Sequence, residues 1–239
     1  MDAFGQAALD FLKGISDEFI YVESETMEDD VIPVKHLFRD YSEMPKCEQV
    51  ALDNAKGEIL DVGGGAGSHC LYLEKKGMNT TLLDYSAGLC EVSAKLGIKS
   101  IVHHDFFSWK SKKKYDSILF MMNGIGIGGN IKSFQKTIKK SFELLNNGGQ
   151  ILFDSTDISF CYEEEDGSIL LPLNIEYHGF VKFQLKYKNK KDDWFNWAYY
   201  DPIKLREILP VEYNFEILYK EGYAYCGKIT LKNSTKKAS

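Results

Sequence analysis

The chain has 239 residues, 44% of them hydrophobic and 27% charged, with a formal net charge of -6. That is enough apolar material for one good-sized core, and the acidic balance excludes a general nucleic-acid binder, which needs Lys and Arg to displace counterions from phosphates. Five scattered cysteines without a C-x-x-C pair exclude a disulfide framework and a zinc site, and no signal peptide or apolar run of about 20 residues marks secretion or a membrane span, so a cytoplasmic protein is expected.

The spacing of Phe4, Ala7, Ala8, Phe11 and Leu12 predicts a helix over residues 1–14. The acidic run "ESETMEDD" after it reads as a solvated loop. "SEMPKCEQVALDNAKG" reads as a helix that starts near Pro45 and stops at Gly57. Residues 1–57 are thus expected to form an N-terminal helical extension.

From Glu58 the chain alternates. "EILDVG" is a strand and "SHCLYLEKKG" a helix; "NTTLLDYS" is a strand and "AGLCEVSAKLG" a helix. "KSIVHHD" and "YDSILFMMN" are strands, "IKSFQKTIKKSFELLNNGG" a helix with a glycine stop, and "QILFDSTD" a strand. Such alternation predicts a parallel sheet with helices on both faces over 58–157. After Asp157 the pattern changes to two extended, aromatic-rich runs joined at "KNKKDD", expected to be an antiparallel insertion over 158–200. A two-stranded hairpin is marginal alone, and the free place is the rim at the strand C-termini, where a ligand crevice lies. This hairpin is therefore expected to cover the crevice, with Trp194 and Trp197 excluding water. "PIKLREILP" reads as a short helix, and "FEILYKEGYAYCGKITLK" as a closing hairpin around Glu221 and Gly222, the last elements of a single domain. The basic tail "LKNSTKKAS" reads as a frayed terminus.

The chemistry gathers at three strand ends. Gly63, Gly65 and Gly67 form a G-x-G-x-G run between strand and helix, which permits a sharp turn and close approach of backbone to a ligand; the same glycines would also serve a bare turn. A dinucleotide fingerprint needs G-x-G-x-x-G, and its third place here is Ser68. Asp61, two residues before the first glycine, would repel a pyrophosphate and attract an ammonium or ribose hydroxyls. S-adenosylmethionine carries an ammonium and a sulfonium and no phosphate, so Asp61 favours it over a nicotinamide dinucleotide. Asp84 closes the next strand, where an acid accepts both ribose hydroxyls of either cofactor, and Tyr85 beside it suits an adenine face. Asp105 after the third strand suits the adenine amino group, with the backbone N–H of Phe106 donating to a ring nitrogen; alone, Asp105 is equally a turn cap.

Through "ILDVGGGAG", "LLDYS", "HDFF", "YDSILFMMNGIG" and "LLNNGGQILF", residues 58–157 resemble the class I S-adenosylmethionine-dependent methyltransferases. "RDYSEMPKCEQVAL", "MNGIGIGG" and "DWFNWAYYDP" are similar to a bacterial subgroup of small-molecule type, in which an arginine often stands where this chain has Ser68. The resemblance implies a Rossmann-like seven-stranded sheet with its last strand antiparallel. It also implies Asp61, Gly63 and Gly65 at the methionine part, Asp84 on the ribose, Asp105 and Phe106 on the adenine, and Asn123 with Gly124 near the transferred methyl. Neither an Asn/Asp-Pro-Pro-Tyr/Phe motif nor a Pro-Cys follows the fourth strand, which argues against base, glutamine and cytosine C5 methylation. The expected reaction is in-line methyl transfer to a small-molecule acceptor, by a monomer or homodimer needing no metal, nucleic acid or membrane.

Such chemistry needs alignment and exclusion of water, and a base only if the nucleophile arrives protonated, so no catalytic residue is assigned. His69, His103, His104 and His178 are candidate bases; each also reads as a packed or surface histidine. Trp194, Phe195, Trp197, Tyr199 and Tyr200 read as strand packing or as an apolar wall over the substrate. Arg39 reads as a carboxylate ligand or as half of a surface ion pair. A nicotinamide-dependent oxidoreductase and a non-catalytic cofactor-binding protein remain as alternatives.

Overall fold

A computed structural model describes residues 1–172 and 174–232. The tail read as frayed lies outside the described residues from position 233 onward.

The elements in chain order are α1 (Ala3–Leu12), β1 (Phe19–Ser24), β2 (Asp30–Pro33), α2 (Lys46–Asn54), β3 (Glu58–Val62), α3 (Ser68–Lys75), β4 (Asn79–Asp84), α4 (Ala87–Lys95) and β5 (Ile101–His103). There follow β6 (Tyr115–Phe120), α5 (Ile131–Leu144), β7 (Leu145–Thr156), β8 (Phe180–Tyr187), β9 (Lys190–Lys191), β10 (Phe195–Ala198), α6 (Pro202–Ile208), β11 (Tyr213–Glu221) and β12 (Ala224–Leu231).

Seven strands form the main sheet in the order β11-β12-β7-β6-β3-β4-β5. Strands β3 to β7 are mutually parallel, and β12 runs antiparallel to both β7 and β11. The central strands read as unbroken apolar runs because helices cover both faces; Ile59, Leu60, Ile118, Leu119, Ile151 and Leu152 are fully buried. Helix α5 shows how the sequence fixes its own face. Phe134, Thr137, Ile138, Ser141 and Leu144 recur at helical spacing and are the buried residues of that helix, and its Asn130 cap accepts from the Ser133 N–H.

The N-terminal extension carries the expected helices α1 and α2. Between them stands a β-hairpin, β1–β2, where only helix and loop were expected. Strand β1 pairs with β8, which pairs with β10, so a second antiparallel sheet runs β10-β8-β1-β2. The start of the chain and the insertion therefore build one sheet together. The expected pair of long strands is also shorter than the sequence suggests. β8 turns at Lys188, in the left-handed region at φ 50°. The chain then leaves the sheet at Asp192, whose carboxylate accepts the Ala3 N–H at 2.9 Å, while Asp2 caps α1 through the Gly5 N–H. Only four residues of β10 follow.

Two close contacts seat this second sheet. Helix α1 crosses α4 at Gly5 and Gly88, where a Cβ on Gly88 would lie 2.6 Å from the Gly5 Cα. The helix packs Ala7, Ala8 and Leu9 with Leu89 and Val92 of α4 and with Leu185 and Tyr187 of β8 in one cluster that includes Ala66 of the glycine loop. Strand β10 meets the loop after β6, where a Cβ on Gly126 would lie 1.9 Å from the Ala198 carbonyl oxygen. The second sheet thus stands at the C-terminal rim of the parallel strands.

Candidate active site

The parallel register brings the strand ends level. Val62 pairs with Leu83, and Asp84 with His103. Gly63 and Gly65 have φ of 69° and 59°, a region costly for residues with a Cβ. No atom lies within 4 Å of a Cβ built on Gly63, so the space above this turn is open. Gly64, which the sequence did not single out, is the crowded one: a Cβ there would lie 2.8 Å from Leu82 Cγ and 3.0 Å from Asp61 Oδ2.

Asp84 is 5% exposed. Its Oδ2 accepts the Gly65 N–H at 3.0 Å and its Oδ1 the Ser86 N–H at 2.8 Å, so the acid ties the glycine loop to the end of β4. Burial pushes its carboxyl up to about 6. Tyr85 beside it is 69% exposed. Asp105 is exposed, and its Oδ1 accepts from both the N–H and the hydroxyl of Ser108 at 2.9 Å, so it caps a turn. The Phe106 ring is buried and lies edge-on to Phe120.

Beneath the loop lies a buried polar cluster. Glu48 Oε2 lies 3.0 Å from Arg39 Nη2 and 2.9 Å from His69 Nε2, and His69 Nδ1 lies 3.8 Å from Asp61 Oδ2. Arg39 is therefore not the surface ion pair that the sequence allowed: it is 7% exposed. His69 is spent on two carboxylates and is not a free base. Burial alone would lower its pKa, but Glu48 and Asp61 outweigh burial and raise it. For Glu48, burial pushes upward and is outweighed by His69 and Arg39, which hold the carboxyl below its ordinary value. Asp61 itself is raised by burial.

Asn123 follows β6 in the left-handed region at φ 58°, directly after Met122 at φ 55°. Two successive non-glycine residues in this region store strain of the kind that collects at functional sites. The turn is held by Asp154 on the neighbouring strand β7, whose Oδ2 accepts the Asn123 N–H at 2.9 Å. Within the site, Arg39 Nε and Nη1, Asp61 Oδ1, Asn123 Oδ1 and Asp154 Oδ1 are buried without a hydrogen-bond partner. Such groups are costly unless something pairs with them. Sequence reasoning missed Glu48 and Asp154. The signal for Glu48 was a charged residue in register with Ala51 and Leu52, the apolar stripe of α2.

The remaining candidates are dispersed. His103 Nε2 bonds the Tyr85 carbonyl and His104 Nδ1 the Asp105 carbonyl, both exposed. His178 Nε2 lies 3.5 Å from Asp157 Oδ1 just past the end of β7. The aromatic cluster divides by strand alternation. Phe195 and Trp197 share one face of β10 and meet edge-on at 6.1 Å. Trp194 lies on the other face, under the Lys182 ammonium at 5.4 Å. Tyr199 meets Phe183 edge-on. Tyr200 is fully buried against Phe134 and belongs to the core. Among the described residues no helix is long and apolar enough to cross a membrane, and no group of three or more His, Cys, Asp or Glu is arranged to hold a metal ion.

Five parallel strands in this order, an open glycine turn at their C-terminal ends and a reversed strand β12 define an α/β protein with a doubly wound sheet, a fold that binds its ligands outside those strand ends. Residues 35–217 match the family described as a methyltransferase domain, and the chain belongs to that family and is an enzyme. It is similar, at 35% identity and TM-score 0.87 over 96% of this chain and 94% of the other, to a SAM-dependent methyltransferase from Bacteroides fragilis solved with S-adenosyl-L-homocysteine. A S-adenosylmethionine-dependent methyltransferase from Clostridium acetobutylicum shares the fold at 16% identity and TM-score 0.58, covering 81% of this chain and 92% of its own. The CcbJ methyltransferase from Streptomyces caelestis does so at 12% identity and TM-score 0.59, covering 80% and 94%. No curated protein sequence matches the chain.

Proposed function

We propose that the chain transfers a methyl group from S-adenosylmethionine to a small-molecule acceptor in the cytoplasm. The observation that carries this reading is the set of unpartnered buried atoms around the glycine turn: the guanidinium nitrogens Nε and Nη1 of Arg39 and acceptor oxygens on Asp61 and Asn123. Together they match a zwitterionic amino-acid end, whose carboxylate Arg39 takes and whose ammonium the oxygens take. A pyrophosphate would find Asp61 and Asp84 opposed to it.

In this reading Asp84 accepts the ribose hydroxyls, the open turn at Gly63 and Gly65 lets the backbone approach the methionine part, and Asn123 lies nearest the reacting methyl. Tyr85 offers its exposed ring to the adenine, Asp105 its second carboxylate oxygen and Phe106 its backbone N–H. When bound, S-adenosylmethionine supplies a methyl group on a sulfonium, whose C–S bond breaks with its electron pair going to sulfur. The protein's part is to hold the acceptor in line and keep water out. The second sheet, seated on Gly126 at the rim, serves as the lid, and Phe183, Trp197 and Tyr199 give it an aromatic wall.

Calorimetric titration of the full-length chain with S-adenosylmethionine, S-adenosylhomocysteine and NADH tests the cofactor, and release of S-adenosylhomocysteine across a metabolite panel tests turnover. Binding of the first two without NADH is expected. Tight NADH binding with no signal from S-adenosylmethionine would overturn the reading.

A further inference from the structure

The order of the sheet places the acceptor as well as the cofactor. Asp105 and Asp84 stand after β5 and β4, the glycine turn after β3, and Asn123 after β6. The next strand outward is β7, and the groups at its end lie beyond the reacting methyl in the reading above. They are carboxylates. Asp154 is 8% exposed, with Oδ2 fixed by the Asn123 N–H and Oδ1 unpartnered. Asp157 follows β7 directly, with His178 against it at 3.5 Å. Tyr199 precedes Tyr200, whose backbone N–H donates to the Ser155 hydroxyl next to Asp154, and burial first, then the charges of Asp30 and Asp154, push the Tyr199 hydroxyl up to about 12.

A carboxylate or phosphate acceptor would meet unpaired negative charge here, and a neutral alcohol would leave that charge uncompensated. A nitrogen that carries hydrogen satisfies it, and the ring of Tyr199 offers a cation an aromatic face as well. Resting on the methyltransferase reading, we propose that the acceptor is an amine, bound through its N–H to Asp154 Oδ1. An amine held there as its cation passes one N–H proton to Oδ1, and the lone pair so freed would form the new N–C bond as the methyl leaves sulfur, which keeps the electron pair of the C–S bond. Burial pushes the Asp154 carboxyl up to about 6, close to where a general base works best near neutrality.

The test uses the full-length chain saturated with S-adenosylhomocysteine and three probes of one shape: benzylamine, benzyl alcohol and benzoate. Calorimetry is expected to show benzylamine binding at least tenfold more tightly than either of the others. In Asp154→Asn, whose amide oxygen still accepts the Asn123 N–H, that preference is expected to vanish while S-adenosylhomocysteine binds within about threefold of the parent. A preference under tenfold in the parent chain, or binding by none of the three probes, overturns the amine assignment. Failure of S-adenosylhomocysteine itself to bind overturns the cofactor reading instead, so the two failures are distinguishable.

Discussion

Gly126 and Ala198 meet backbone to backbone, with room for no side chain: a Cβ on Gly126 would lie 1.9 Å from the Ala198 carbonyl oxygen. This contact joins the loop after β6, which carries Asn123, to the last residue of β10. The C-terminal rim of the parallel strands and the second sheet are therefore in direct backbone contact.

Gly126→Ala should push the two apart. Overpacking of this kind costs about 1–3 kcal/mol, to be read from the urea midpoint at constant slope. Turnover should fall more than S-adenosylhomocysteine affinity, because the glycine turn and Asp84 do not touch the contact. Equal loss of both would mean that the lid is part of the cofactor site.

Trp194 and Trp197 should separate in function, although the sequence paired them. Three residues apart on an extended segment, they point to opposite faces, and Trp194 is 38% exposed on the outer one. Trp197→Ala is expected to reduce turnover at least tenfold with cofactor affinity kept. Trp194→Ala should change turnover by less than threefold. Steady-state kinetics on the two single variants decides this, and the reverse ranking would place the acceptor on the other face of the sheet.

The Arg39–Glu48–His69 cluster should leave a mark on the pH dependence of stability. His69 is raised above its ordinary 6.5, so its contribution is fully present below that pH and is lost as pH rises through the raised value. Glu48 is held below its ordinary 4.5, so its contribution is present above that pH and is lost as pH falls through the lowered value. The cluster is then strongest between pH 4.5 and 6.5. Glu48→Gln leaves a buried guanidinium unpaired and should cost about 3–5 kcal/mol, with a gap to the parent that is larger at pH 6 than at pH 8.5. Denaturation curves at the two pH values check it; a gap independent of pH would show that His69 is neutral in the folded chain.

Much of the fold was legible because each parallel strand is an apolar run closed by glycine or acid. The hairpin β1–β2 was not. Ile20, Val22 and Ile32 alternate as a strand should, but the run is short, the charges of "ESETMEDD" interrupt it, and its partner β8 lies some 160 residues further along the chain. Asp84 was legible as a strand-end acid but not as a brace of the glycine loop. Its two oxygens in fact hold the Gly65 and Ser86 N–H groups, and no spacing rule announces that. Glu48 and Asp154 stayed hidden for a related reason: each is a charge inside an apolar pattern, and only the tertiary structure shows what it pairs with.

In the proposed reading the acid at the end of β4, Asp84, holds the ribose of S-adenosylmethionine. Calorimetric titration of S-adenosylhomocysteine into the parent chain and into Asp84→Asn tests it most directly. Asparagine keeps the side-chain shape and one oxygen acceptor while removing the charge, so the loop has the best chance of staying in place; Asp84→Ala would leave two backbone N–H groups without partners and confuse stability with binding. Loss of hydrogen bonds to a charged group is worth about 1.5–3 kcal/mol, so affinity is expected to weaken by roughly 10- to 150-fold. Affinity equal to that of the parent would contradict it.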